Sequence, residues 1–257
     1  MPWATATRSR SSCVPDTRFN AAVSSQRVFH AMSFKLRQIK GMRKAVPGAT
    51  VNDVILAICG GGLRLWLEAM DELPDESLVA MVPVNARTSE EQSLGGNRLS
   101  TLFMPIHTNI ADPLDRLRAI YQATRKAKSA ENGVSAQQLS EISSRIPALP
   151  LSAAGKLITG LGLGYRLIHL CNCTITNVPG PRTTLYLGPA RLVYNTGSAP
   201  ILDGMGLIIC VFSYRDEVSL SFTSCPDMLP DPEFLAQCTQ EAFLHMLQQA
   251  QGVKPSG

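Results

Sequence analysis

Familiar reaction centres are missing from this sequence. It has no GxSxG and no HExxH, and Gly160, Gly162 and Gly164 alternate too tightly, with no strand before them, to form a dinucleotide fingerprint. The four histidines, His30, His107, His169 and His245, stand apart from each other, and none lies in a nucleophile or metal motif. Seven cysteines, at 13, 59, 171, 173, 210, 225 and 238, include no CxxC and no Cys/His spacing suited to zinc. Their odd number and apolar surroundings read as reduced, mostly buried thiols, which places the chain in a reducing, intracellular compartment. Nor is there a run of about 18 uninterrupted apolar residues, the length a membrane span needs. The nearest stretch, Leu151 to Leu170, is broken by Lys156, Arg166 and four glycines.

Charge is sparse as well. Charged residues make up 17% of the 257 positions, and 24 basic against 20 acidic residues leave a net charge of +4 with no dense basic block or interleaved aromatics. That pattern points away from nucleic acid as a partner. Disorder is excluded for the bulk by an apolar content of 45%. Residues 1–18 carry Arg8, Arg10 and Arg18 with a single acid; they faintly resemble a transit peptide and are read as a disordered tail or linker remnant. The folded domain is read over 19–250, with a short tail over 251–257.

What is present begins with Asn177-Val178-Pro179-Gly180-Pro181, which follows the apolar, β-branched run from Cys171 to Thr176. Pro179 and Pro181 have no N–H for a sheet ladder, so a strand entering at Cys171 is expected to stop by Asn177 with its last polar groups turned away from a neighbouring strand. Cys171 and Cys173, two apart, share one face. Upstream, Thr50 with Asp53 three residues later reads as a capping box opening a central, buried helix. Gly60-Gly61-Gly62 within it costs roughly 1 kcal/mol per glycine. Either another backbone packs close there or the helix breaks; a phosphate loop lacks both the preceding strand and the following Lys-Ser/Thr.

Elsewhere the periodicity predicts strands over Val28 to Lys35, Leu78 to Val84 and Arg98 to His107, and a short helix over Leu36 to Val46. Asp112-Pro113 opens a helix with Leu114, Leu117, Ile120 and Tyr121 inward and Asp115, Arg116, Arg118, Arg125, Lys126 and Lys128 on a solvated face. Residues Ser135 to Leu170 read as helical. The last third reads as strands at Leu185 to Leu187, Ala190 to Gly197, Gly206 to Tyr214 and Val218 to Thr223, with Arg215-Asp216-Glu217 as a hairpin turn and a closing helix from Pro232 to Gln249. The sum is an α+β fold, an α/β sandwich whose mixed, largely antiparallel sheet has helices packed on it.

Phe19-Asn20, Asn52-Asp53-Val54-Ile55-Leu56-Ala57, Pro83-Val84-Asn85-Ala86-Arg87-Thr88, Leu94-Gly95-Gly96-Asn97-Arg98-Leu99-Ser100, Asp112-Pro113, Asn177-Val178-Pro179-Gly180-Pro181 and Leu202-Asp203-Gly204 occur together and in order. In these the chain resembles the C-terminal domain of the bacterial-type wax ester synthase/diacylglycerol acyltransferase family. The resemblance implies half of a chloramphenicol acetyltransferase-like enzyme, built from two similar halves with a tunnel between them. It also implies acyl transfer from acyl-CoA, as co-substrate, to a diacylglycerol or fatty alcohol, with the second histidine of an N-terminal HHxxxDG motif as base. This chain has no adjacent histidines, so no catalytic residue is assigned to it, and no metal or bound cofactor is expected.

What the resemblance leaves to this chain is positioning and enclosure, by Asn52, Asp53, Asn97, Asn177, Pro179, Gly180 and Pro181. Asn177 either offers an amide to a polarised carbonyl or pantetheine arm, or closes an Asx turn. Asp53 either caps its helix or takes part in chemistry. Arg87 and Asn97 bind a nucleotide phosphate or fix loops. Partners expected are the HHxxxDG half and a lipid surface, contacted peripherally from the cytoplasm by apolar stretches such as Ala153 to Leu170. Two other readings stay open: a non-enzymatic lipid-binding or regulatory partner of a full-length acyltransferase, and an independent enzyme with His107 or His169 as base.

Overall fold

A computed structural model describes residues 14–85, 99–129 and 170–252. Eight strands and four helices of more than one turn make up this part: β1 Val28–Lys35, α1 Leu36–Met42, α2 Val51–Ala69, β2 Val79–Asn85, β3 Leu99–Pro105, α3 Pro113–Ser129, β4 Cys173–Val178, β5 Tyr186–Leu187, β6 Ala190–Arg191, β7 Ile208–Tyr214, β8 Glu217–Ser224 and α4 Pro232–Gly252. Six strands form one mixed sheet in the order β1-β8-β7-β4-β2-β3, and β5 pairs with β6 alone. Strand β4 runs parallel to both β2 and β7, while β1/β8, β7/β8 and β2/β3 are antiparallel, which is the predicted largely antiparallel α+β sheet. The expected helical stretch over 135–170 lies almost wholly outside the described residues.

The helices lie against one face, where alternation in the strands puts Phe34, Ala80, Val82, Met104, Ile175, Ile209, Val211, Leu220 and Phe222 in the buried core. Helix α2 runs through the middle of this layer and is continuous across Gly60-Gly61-Gly62. Of the two outcomes the glycines allowed, close approach is the one observed. A Cβ on Gly60 would lie 2.4 Å from the Ile106 carbonyl oxygen, one on Gly61 2.5 Å from Arg116 Nη1, and one on Gly62 2.3 Å from Thr239 Oγ1. Three successive glycines therefore admit the end of β3, then α3, then α4, around one helix. Phe34 of β1 stacks on Phe243 of α4 with ring centroids 4.2 Å apart, tying the far edge of the sheet to the layer.

Four expectations are corrected. Strand β4 runs to Val178, one residue beyond Asn177, and stays paired to β7 through Asn177↔Val211 and Val178↔Phe212; the prolines end the ladder only after that. The strand read over Ala190 to Gly197 pairs only at Ala190 and Arg191. The chain beyond crosses the sheet face opposite the helices, where Ser219 Oγ donates to the Asn195 carbonyl (2.5 Å) and Ser221 Oγ to that of Gly197. Arg116 is not on a solvated face: it is 3% exposed, and its guanidinium donates to the carbonyls of Ile110 (2.8 and 3.1 Å) and Ala111 (2.9 Å), closing the loop before α3. The hairpin turn between β7 and β8 is Arg215-Asp216, since Glu217 already pairs with Tyr214.

The packed chain also reaches further toward the N-terminus than residue 19. Asn172 Nδ2 donates to the Pro15 carbonyl (2.6 Å) and to Asn20 Oδ1 (2.9 Å), Thr17 Oγ1 donates to the same Asn20 oxygen (2.8 Å), and Arg18 Nε donates to Glu72 Oε2 (2.7 Å). No helix among the described residues is long and apolar enough to cross a membrane.

Candidate functional site

In an open sheet, ligands gather beyond the carboxyl ends of parallel strands, where helix amino ends also point. Here that edge is formed by the ends of β2, β4 and β7 with the first turn of α2. The capping box that starts α2 is complete: Thr50 N and Thr50 Oγ1 both donate to Asp53 Oδ2 (2.7 Å each), and Asp53 N donates to Thr50 Oγ1 (3.2 Å). Asp53 is 1% exposed, so its carboxylate serves the cap and has no access to a ligand; its Oδ1 has no hydrogen-bond partner among the described residues.

The cap turns the neighbouring residue, Asn52, outward to meet the end of β4. Asn177 Nδ2 donates to Asn52 Oδ1 at 3.0 Å, a side-chain pair joining the layer's central helix to the sheet's central parallel strand. Both amides are only partly buried. Among the described residues Asn52 Nδ2 keeps its two hydrogens and Asn177 Oδ1 its lone pairs, so the pair presents a donor and an acceptor side by side at the edge. The free donor is thus chiefly on Asn52, and Asn177 is the residue that aims it.

Past Asn177 the chain is pinned. Gly180 N donates to Ser213 Oγ (3.1 Å) and Arg215 N to the Pro181 carbonyl (3.1 Å), which lays the Pro179-Gly180-Pro181 turn against the end of β7. A Cβ on Gly180 would fall 2.0 Å from the Ser213 carbonyl oxygen, so no larger residue fits that turn without moving it. The structure brings Asn52, Asp53, Asn177, Pro179, Gly180 and Pro181 to one edge. Asn97 and Arg87 lie outside the described residues.

None of the three described histidines belongs to this edge. His107 follows β3, whose Pro105 pairs with Val79, so it sits at the amino end of β2, across the sheet from Asn177. It adopts a positive φ of 52°, and burial, then the Arg116 charge, hold its imidazole below the usual histidine range. His30 pairs with Phe222 on β8, three strand spacings from β4, on the order of 14 Å. His245 is exposed on α4 beside Glu241 Oε1 (3.7 Å). His169 lies outside the described residues. The six described cysteines are free and buried. Burial pushes the Cys59 thiol up to about 12 and that of Cys171 up to about 11, so neither is poised as a nucleophile. Sequence reading missed the second amide pair, Asn20 with Asn172, at the opposite end of β4; the two residues, 152 apart, carry no local signal of pairing.

The profile of the WS/DGAT C-terminal domain matches residues 95–247. A Mycobacterium tuberculosis (strain H37Rv) protein that carries the name of a diacylglycerol O-acyltransferase is 37% identical over 216 residues, 84% of this chain and 47% of its own length. The O-acyltransferase WSD of Acinetobacter baylyi is 33% identical over 217 residues, 84% of this chain and 45% of its own. The solved wax ester synthase/diacylglycerol acyltransferase of Marinobacter aquaeolei VT8 superposes with a TM-score of 0.71 at 27% identity, covering 94% of this chain and 54% of that one. The epimerization domain of tyrocidine synthetase B shares the fold alone, with a TM-score of 0.56 at 12% identity. The chain spans about half the length of the curated relatives it matches. On the domain profile and these relatives together, the chain belongs to the wax ester synthase/diacylglycerol acyltransferase family, of which it carries the C-terminal domain.

Proposed function

We propose that this chain is the positioning half of an acyl-CoA-dependent O-acyltransferase that esterifies a diacylglycerol or a long-chain alcohol, inactive alone and completed by a histidine-bearing N-terminal half. The acceptor hydroxyl oxygen attacks the thioester carbonyl carbon, that half's histidine takes the hydroxyl proton, and coenzyme A leaves as its thiol. Negative charge collects on the carbonyl oxygen as the carbon becomes tetrahedral. Asn52 Nδ2, held by Asn177, supplies a fixed donor to that oxygen or to the pantetheine amide, and the Pro-Gly-Pro turn walls the cavity. The enzyme works in the cytoplasm, peripherally at the lipid surface where acceptor and product reside.

The observation that carries this reading is the Asn52–Asn177 pair: two partly exposed amides, aligned at the carboxyl edge of the parallel strands, with hydrogen-bonding capacity left over. The test is reconstitution. Mixed with the separately produced N-terminal half of a family member that carries HHxxxDG, the chain restores acyl transfer from acyl-CoA to hexadecanol or diacylglycerol. Replacing Asn52 with alanine lowers kcat on the order of 100-fold, as removal of one oxyanion donor does. Restored activity that is indifferent to Asn52→Ala refutes the assigned role. A mixture that associates but never turns over favours the regulatory or lipid-binding partner.

A further inference from the structure

The layer of helices holds a cavity that the acyl-transfer chemistry does not use. Where α2, α3 and α4 meet, a pocket of about 190 Å³ lies between them. Gly61, on its floor, is about 14 Å along the α2 axis from Asn52, at roughly 1.5 Å per residue. From α2 the pocket is lined by Gly61, Arg64, Leu65 and Glu68, whose spacing puts them on one face of the helix. Ala111, Pro113 and Arg116 border it from the start of α3, and Ala242 and His245 from α4. The glycine makes the space: a Cβ at position 61 would fall 2.5 Å from Arg116 Nη1 and 2.8 Å from the Ala242 Cβ.

Cationic side chains reach this pocket from three helices. Arg116 is the buried one, and among the described residues its hydrogen bonds all go to neutral carbonyls, those of Ile110, Ala111 and, at 3.4 Å, Ala57. A buried charge is ordinarily matched by an opposite one. Its Nη1, which makes only the long contact to Ala57, is the nitrogen laid over Gly61 at the pocket floor. Arg64 donates from Nη1 to the Thr108 carbonyl (2.9 Å) and from Nη2 to Glu68 Oε1, so its own charge is matched. His245 stands exposed at the rim with Glu241 Oε1 3.7 Å from its Nε2. Asp112, the remaining carboxylate nearby, accepts from Leu114 N and Asp115 N. Burial first, then the Arg64 charge, push the Arg116 guanidinium down to about 10, against Asp112 and Glu68, which raise it. The surrounding carboxylates thus leave Arg116 under-compensated.

We propose that this pocket binds a phosphate group, free or carried by a small monoester, with Arg116 Nη1 at its floor, Arg64 beside it and His245 over its mouth. An anion here supplies the countercharge that Arg116 lacks. Donors approaching from three helices suit a tetrahedral oxyanion, whose oxygens point apart, and make charge-assisted hydrogen bonds to it. The volume holds such an anion with water beside it, at about 30 Å³ per water. Leu65, Ala111, Pro113 and Ala242 add an apolar wall against which the carbons of a monoester can lie. A ligand so placed links α2 to α3 and α4, at a distance from the Asn52–Asn177 edge, and its binding needs no catalytic partner.

The test is the thermal midpoint of the full 257-residue chain in inorganic phosphate and in chloride at equal ionic strength, with affinity from titration calorimetry and glycerol 3-phosphate as a second probe. At tenfold excess over its dissociation constant, phosphate is expected to raise the midpoint by about 3–5 °C over chloride. Arg64→Gln should weaken binding about tenfold and His245→Ala about threefold. Arg118→Gln, which removes an exposed cation of α3 outside the pocket, should change nothing. Because His245 is exposed, its replacement leaves the fold intact and keeps the test decisive even where Arg64→Gln, which also gives up the Thr108 carbonyl, does not fold. Tighter binding of glycerol 3-phosphate than of phosphate identifies a monoester as the ligand, and equal affinity identifies free phosphate; either result upholds the site. A wild-type midpoint that responds alike to phosphate and chloride overturns it, as does phosphate binding that neither pocket variant weakens.

Discussion

Asn52 and Asn177 are 125 positions apart, and their hydrogen bond joins the two motifs that the sequence singled out. Each amide leaves the other without a partner when truncated, so Asn52→Ala and Asn177→Ala are each expected to cost about 1 kcal/mol of stability. The double variant should cost less than the sum of the two, as a double-mutant cycle in urea will read directly. Gly180→Ala places a methyl where the Ser213 carbonyl stands, and is expected to cost about 1–3 kcal/mol and lower the thermal midpoint. His107 adds a pH dependence with a definite sign. Its folded state disfavours the imidazolium, so its contribution to stability is complete above about pH 6.5 and is lost as the pH falls through the lowered value. His107→Asn, which tolerates the positive φ, should flatten the acid limb of a midpoint-against-pH profile. At the alkaline end Cys59 acts oppositely: its thiol is raised to about 12, so stability is retained below pH 9.0 and is lost between that value and about 12.

Among the elements, those with strong local chemistry were legible beforehand. The Thr50–Asp53 box fixed where α2 begins, residue periodicity marked β1, β7 and β8, and Asp112 accepts from the amides of Leu114 (2.9 Å) and Asp115 (2.8 Å) as a cap before Pro113. What escaped is what only tertiary packing decides. Arg116 reads as solvent-facing by position on its helix, but the loop carrying Ile110 and Ala111 folds back over it and takes its donors. The stretch after Arg191 alternates like a strand, yet its carbonyls accept from serine hydroxyls of β8 instead of joining a ladder. The glycine triplet looked costly and proved to be the contact surface for three neighbours at once. The buried Tyr214 hydroxyl accepts from Leu185 N (2.9 Å) and donates to the Leu192 carbonyl (3.1 Å), clamping the β5–β6 hairpin. In Tyr214→Phe both hydrogen bonds vanish, Leu185 amide exchange should rise well above that of the main sheet, and global stability should fall by only about 1 kcal/mol.

Over the described residues the molecule has one continuous hydrophobic core, and under the proposed function its active site is completed by a second half. Its layer of helices covers one face of the sheet, its described cysteines are buried, and the amides it presents at the parallel-strand edge can orient and polarise but not remove a proton. The described histidines sit elsewhere: at the opposite sheet end, three strands away, and on the outside of α4. Under the proposed function, acyl transfer divides into a base on one half and a fixed cavity wall on the other. The most direct measurement is the release of coenzyme A thiol by the purified 257-residue chain alone, supplied with saturating acyl-CoA and hexadecanol or diacylglycerol. The account predicts no release above the enzyme-free background until the HHxxxDG half is added. Turnover by the chain alone, abolished by His107→Asn, would contradict it.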